Sequence, residues 1–134
     1  MRVFVDTNVL LDFICKREPF FDSAKGVFAA CFLKKIEIVI SALSIVNAIY
    51  IGRKYGSEII KAKLLALSDY YEVANLPAET VLETLSSDWT DYEDALQYAS
   101  AKEYDADCIV TRNTKDFEKS DISVCLPEEV LDRL

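Results

Sequence analysis

Short apolar runs that stop at a polar residue, each followed by a segment of helical period, constrain this chain more than any other feature. Arg2 to Val5 reads as a strand ending at Asp6, and Ile36 to Ile40 as a β-branched central strand ending at Ser41. Tyr71 to Leu76 is ended by Pro77, Cys108 to Val110 is a short strand, and Ile122 to Leu126 is ended by Pro127. Helices are expected between them. Asn8 to Cys15 is one, and Pro19 starts another that runs to about Leu33. Ser41 or Ser44 caps a third through about Lys54, and Ser57 precedes a fourth with apolar spacing Ile59, Ile60, Leu64, Leu67. Glu79 to Leu85 follows, then a capping box, Thr90-x-x-Glu93, opening a helix to about Tyr104, and finally Glu128 to Leu134. Alternating β and α elements imply a parallel sheet covered by helices on both faces. The expectation is one domain over residues 1–134, with a three-layer α/β/α architecture around a mostly parallel sheet of about five strands.

Composition removes whole classes of chemistry. The chain has no histidine, which excludes Ser-His-Asp and Cys-His catalysis and any zinc site that needs imidazole. Cys15, Cys31, Cys108 and Cys125 form no Cys-x-x-Cys pair, and 134 residues can bury a core without disulfides. They read as reduced packing residues. Only three glycines are present, in neither a Gly-x-Gly-x-x-Gly nor a Gly-Lys-Ser/Thr loop, so nucleotide binding by those routes is disfavoured. Three apolar residues between Arg2 and Asp6 are too few for a secretory leader, and Ile38 to Gly52 is too short and polar to span a membrane. A cytoplasmic location without membrane contact is expected.

The formal net charge of −8 argues against nucleic-acid binding through a broad basic surface. Either the partner is something else, or metal ions and local cations supply the attraction. Arg53, Lys54, Lys61 and Lys63 form one modest cluster, and Arg112, Lys115 and Lys119 another; both read first as solvated surface. Most of the tyrosines have the spacing of core residues, while Trp89 and Tyr92 are candidates for stacking a base.

Acids recur at the ends of the predicted strands. Asp6 closes the first, where open α/β sheets bind ligands. It either binds a cation or caps the helix that follows. Thr7 and Asn8 position it or make a turn, and Asp12, one helical turn beyond Asn8, is structural. Asp91 and Asp94 share one helix face and also complement the helix dipole. Glu93 is the acid of the capping box. Asn113 and Asp116 follow the Cys108 to Val110 strand, in a site or in a polar turn; Thr111 orients a carboxylate, and Arg112 meets a phosphate or pairs with Asp116. Gathered at one sheet edge, such carboxylates repel and require a cation, and hard oxygen donors select Mg²⁺ or Mn²⁺.

Four segments together carry a resemblance: Val5-Asp6-Thr7-Asn8-Val9-Leu10-Leu11-Asp12, Ile40-Ser41-Ala42-Leu43-Ser44-Ile45-Val46-Asn47, Asp91-Tyr92-Glu93-Asp94-Ala95-Leu96-Gln97-Tyr98-Ala99 and Val110-Thr111-Arg112-Asn113-Thr114-Lys115-Asp116-Phe117. In order and spacing the chain resembles the PIN-domain family, small α/β nucleases that include VapC-type toxins of toxin–antitoxin pairs. The resemblance implies a Mg²⁺- or Mn²⁺-dependent endoribonuclease, an RNA substrate, a small antitoxin partner and a homodimer. It implies Asp6, Asp94 and Asp116 as catalytic metal ligands, with Asn47, Asn113, Asp91 and Thr111 around them. Asn47 stands where the family usually has glutamate, and many members carry Asp where this chain has Asn113. One bound ion rather than two is expected, and a PIN-like module with impaired catalysis that holds RNA or a protein is the alternative. The segment Pro19-Phe20-Phe21 is a candidate antitoxin groove. A receiver-type or haloacid-dehalogenase-type phosphotransfer domain would also use an aspartate at a strand end, but Asn8 replaces the second aspartate of the latter.

Overall fold

A computed structural model describes residues 1–134. The strands are β1 (Arg2–Val5), β2 (Glu37–Ser41), β3 (Tyr71–Ala74), β4 (Cys108–Val110) and β5 (Ser123–Cys125). They form one sheet in the order β3-β2-β1-β4-β5, with every pairing parallel. The helices are α1 (Thr7–Ile14), α2 (Phe21–Phe32), α3 (Ala42–Ile51), α4 (Ser57–Ala66), α5 (Ala78–Thr84), α6 (Tyr92–Glu103) and α7 (Pro127–Asp132). This is the expected three-layer arrangement.

Residues alternate across the sheet because successive strand side chains point to opposite faces. Val3, Val5, Ile38, Ile40, Cys108 and Val110 pack on one side with α1, α2, α4 and α7, through Leu10, Phe28, Ile60 and Val130. Phe4, Val39 and Ile109 pack on the other with Ala74, Ala101 and Phe117. Both faces of the central strands are therefore dry, which is why those runs read as continuously apolar. Each buried Val, Leu, Ile or Phe contributes roughly 1.5–3 kcal/mol. All four cysteines are free, and Cys31, Cys108 and Cys125 are buried, as packing residues would be. No helix is long and apolar enough to cross a membrane.

Several boundaries differ from expectation for local reasons. Pro19 lies in a turn, so α2 begins at Phe21. The α3 helix ends at Ile51 and the chain tightens into a 3-10 turn, Gly52–Tyr55. A Cβ at Gly52 would clash with the Ile60 side chain, so glycine permits α4 to approach there. The capping box is not formed. Asp91, one residue after Thr90, is the N-cap of α6, and its carboxylate accepts from the Asp94 amide at 3.1 Å. Glu93 is thereby released from any capping task.

The strand order places β1 between β2 and β4, where the sheet changes its direction of progress. A crevice at such a switch point opens at the carboxyl ends of the strands. On α1, Asp12 is only 1% exposed; its Oδ1 accepts from Arg17 Nε at 2.9 Å and its Oδ2 accepts from Arg112 Nε at 2.6 Å. Arg112 thus pairs with Asp12 rather than Asp116, and its guanidinium lies 3.8 Å from the centre of the Phe20 ring. The pair fastens the start of the chain to the loop after β4. Because both arginines retain some solvent, the cost of breaking it falls below that of a fully buried pair. Asp12→Asn is expected to destabilise the fold by about 2–3 kcal/mol in urea denaturation; a loss under about 0.5 kcal/mol, the scale of an ordinary surface change, would show that the clamp is dispensable.

Candidate active site

Three strand ends supply the floor of the crevice: Asp6 after β1, Ser41 ending β2 and Thr111 after β4. Asp6 is 7% exposed. Its Oδ1 accepts from the Thr7 amide at 2.8 Å and from Gln97 Nε2 at 3.1 Å, and its Oδ2 accepts from Thr111 Oγ1 at 2.8 Å. Asp6 is therefore both the N-cap of α1 and a member of the site, so the two readings of its role are compatible. Oδ1 is saturated by two donors, while Oδ2 keeps a lone pair for a further partner.

Gln97, fully buried on α6, is the hub that sequence reasoning missed. Its Nε2 also donates to Ser44 Oγ at 2.6 Å, and its Oε1 accepts from Ser41 Oγ. Ser41 Oγ in turn accepts from the Ser44 amide at 2.9 Å, capping α3, and the hydroxyls of Thr7 and Ser44 lie 2.7 Å apart. One amide side chain thus joins α6, α3 and the end of β1. A signal existed: Gln97 is the largest polar residue on the buried part of α6, which it shares with Ala95, Leu96, Ser100 and Ala101.

The acids of the third segment stand over this floor. Asp94, half-buried, is pushed up to about 7 by desolvation first, then by the charges of Asp91, Asp6, Asp116 and Glu93. Burial raises the Asp6 carboxyl as well, against the hydrogen bonds from Thr111, Thr7 and Gln97, with Asp116 adding repulsion. Glu93 is raised by desolvation and by Asp6 and Asp91, and Asn47 opposes that rise. The structure therefore brings Asp6, Asp91, Glu93, Asp94 and Asp116 into mutual electrostatic reach. The ion pairs of the chain all lie elsewhere.

The remaining predicted residues fall around these acids. Thr111 orients a carboxylate, as expected, and its Oγ1 also accepts from the Asn113 amide at 3.1 Å. Asn8 braces α1 against the loop after β4: its Nδ2 lies 3.4 Å from Thr111 Oγ1, and its Oδ1 accepts from the Arg112 amide at 3.4 Å. Asn113 and Asp116 are exposed on the turn after β4, where the Asp116 amide donates to the Asn113 carbonyl at 3.0 Å. Asn47 Nδ2 is buried without a hydrogen-bond acceptor. Tyr92 is drawn away from a stacking role, since its hydroxyl donates to the Val81 carbonyl at 2.6 Å.

The donor set is made of hard oxygens carrying unrelieved negative charge, which is the chemistry that selects Mg²⁺ or Mn²⁺. No three acids converge tightly enough to hold an ion as they stand.

A PIN-domain family model matches residues 2–115. The chain belongs to the PIN-domain family. Solved PIN-like folds agree: a toxin–antitoxin complex from Klebsiella pneumoniae superposes with a TM-score of 0.67 at 24% identity, covering 93% of this chain and 97% of that one. The VapBC2 structure from Rickettsia felis, bound to a DNA fragment from its promoter, gives 0.65 at 19% identity, over 94% and 98%. VapC20 of Mycobacterium tuberculosis, a sarcin-ricin loop cleaving toxin, gives 0.64 at 14% identity, over 80% and 86%. No curated protein matches the chain.

The crowding of acids has a consequence for stability. A carboxyl raised in the folded state binds its proton more tightly there than in the unfolded chain. Its contribution is present at low pH and is lost as pH rises between the ordinary 3.8 and about 7. The metal-free PIN domain is expected to show a Tm that falls from about pH 5 to pH 8. Asp94→Asn is expected to flatten that slope. A wild-type profile that is flat, or that rises with pH, would contradict the arrangement.

Proposed function

We propose that this PIN domain is a Mg²⁺- or Mn²⁺-dependent endoribonuclease and the toxin component of a toxin–antitoxin pair acting in the cytoplasm. The observation that carries the reading is the carboxylate Asp6 held by three donors at the sheet's switch point, with Asp94 and Asp116 in electrostatic reach and none of the three in an ion pair. Asp6, Asp94 and Asp116 are the residues that would hold the ion. Asp91, Asn47, Asn113 and Thr111 surround them. Bound there, the ion supplies Lewis acidity toward a scissile phosphodiester. Thr111 and Gln97 fix the Asp6 carboxylate, leaving an Oδ2 lone pair as its contribution to the site. Asp94, raised to about 7 in the metal-free chain, would have to give up its proton to serve as a donor, so binding is expected to be tighter at pH 8 than at pH 6. Three acids as donors would suit one ion rather than two, once Asp94 and Asp116 had moved closer to Asp6.

RNA as substrate follows from the family and from the toxin named among the structural neighbours. An antitoxin partner is supported by neighbours solved as toxin–antitoxin complexes. The chain offers such a partner an apolar groove lined by Phe13, Ile14, Phe21, Ala66 and Leu67 and flanked by Lys16 and Lys63. Phe21 belongs to the segment singled out in the sequence, whereas Phe20 lies outside this groove, with its ring against the Arg112 guanidinium. Homodimerisation is proposed by analogy with the family.

Asp6→Asn and Asp94→Asn are each expected to lower metal-dependent cleavage of single-stranded RNA by about 100-fold or more, the scale of removing a group that stabilises charge in the transition state. Wild-type rates in either variant would refute the assignment.

The uncharged Asn47, standing where the family usually has glutamate, supports the second reading, a module that binds RNA or protein without cleaving. Calorimetric titration with Mn²⁺ separates the two. The nuclease binds the ion, and Asn47→Glu tightens binding by returning a negative charge. Absence of Mn²⁺ binding in the wild type would favour the module, and unchanged affinity in Asn47→Glu would remove Asn47 from the site.

A further inference from the structure

We infer that the cleft beside the acids is a subsite for one nucleotide of a single-stranded RNA, with Lys115 as its phosphate contact and Trp89 as its aromatic wall. The inference rests on the nuclease reading and names where the strand continues beyond the scissile phosphate. The cleft has a volume of about 330 Å³ and is lined by Trp89, Thr90, Asp91, Lys115, Asp116 and Lys119, among others. Two of these, Asp91 and Asp116, belong to the acidic site, so the cleft opens directly from it. Its volume lies at the lower end of the range for a small-molecule pocket, roughly 300–1,000 Å³, which suits one nucleotide and not a duplex.

The three cations that follow β4 have different fates. Arg112 is consumed by Asp12. Lys119 is engaged by Asp88, through the carbonyl and through the carboxylate at 3.2 Å. Lys115 has neither an ion pair nor a hydrogen bond to its ammonium, and it is exposed at the cleft. On a chain of net charge −8, an uncommitted cation placed one residue before Asp116 is the natural contact for a phosphate next to the reacting one. Glu118 also lines the cleft, which leaves the pocket selective for a strand already anchored by a divalent ion at the acids.

Trp89 supplies the second element. It is held from behind by Tyr98, with ring centroids 5.0 Å apart, and edge-on by Phe117 at 5.9 Å. A tryptophan braced in this way presents a rigid wall at the cleft. Sequence-tolerant stacking of single-stranded bases uses such aromatic walls together with a cation on the backbone.

Trp89 is the only tryptophan of the chain, so its emission reports on the cleft alone. The full chain, with Ca²⁺ as the divalent ion, is titrated with an octaribonucleotide and with a blunt duplex of the same sequence. The expected result is a Trp89 emission change with the single strand and none with the duplex. Lys115→Gln is expected to weaken single-strand binding roughly fivefold, the scale of one exposed charge pair. It also reduces the slope of log affinity against log salt by about 0.7. Under Mg²⁺, the same variant raises KM with kcat little changed. An unchanged affinity and salt slope in Lys115→Gln, or an emission change equal for duplex and single strand, would overturn the subsite. If Asp94→Asn abolishes cleavage while Lys115→Gln is silent, the subsite falls and the nuclease reading stands. If the wild type neither binds nor cleaves any RNA, both fall.

Discussion

A buried carboxylate held by three donors organises this molecule. Asp6 sits at the carboxyl end of the central strand, and its partners come from α1, α6 and the segment after β4. A charge in such a place is costly unless every neighbour is committed to it. The commitment is visible in Gln97, Ser41, Ser44 and Thr7, whose side chains satisfy one another while converging on Asp6. Removing any one of them leaves buried polar atoms without partners, at about 1–3 kcal/mol each. The fold and the site are thus one construction, since the bonds that aim the carboxylate also dock α3 and α6 onto the sheet.

The acids that stand above Asp6 obey the opposite logic. Asp91, Glu93, Asp94 and Asp116 form no ion pair within the chain, and burial first, then their mutual repulsion, raises Asp94 toward neutrality. Elsewhere the same protein pairs its charges carefully, as Asp12 does with Arg17 and Arg112. The contrast separates charge that the fold neutralises internally from charge that it leaves unpaired at the end of the sheet.

Strand ends and the order of the four segments were legible before any coordinates, because parallel strands buried on both faces leave unmistakable apolar runs. Cys108 to Val110 and Arg2 to Val5 match the structure residue for residue. Asp6 and Thr111 were legible for the same reason, as polar residues at the ends of those runs. Gln97 was not, since an amide in a helix reads as surface until the opposing Ser41 and Ser44 are known, and those lie over fifty residues away. The capping of α6 was misread because Thr90 and Asp91 are both good caps, and only backbone geometry selects Asp91. The partner of Arg112 was likewise hidden, because Asp12 and Asp116 compete on equal terms in sequence, and only the approach of α1 to the loop after β4 decides between them.

The strand order also bears on timing. The central strand precedes the residues that hold its aspartate, Gln97 and Thr111, by 91 and 105 positions. During synthesis the emerging chain has an isolated acid and no pocket around it. The pocket closes only after α6 and the segment following β4 have been made.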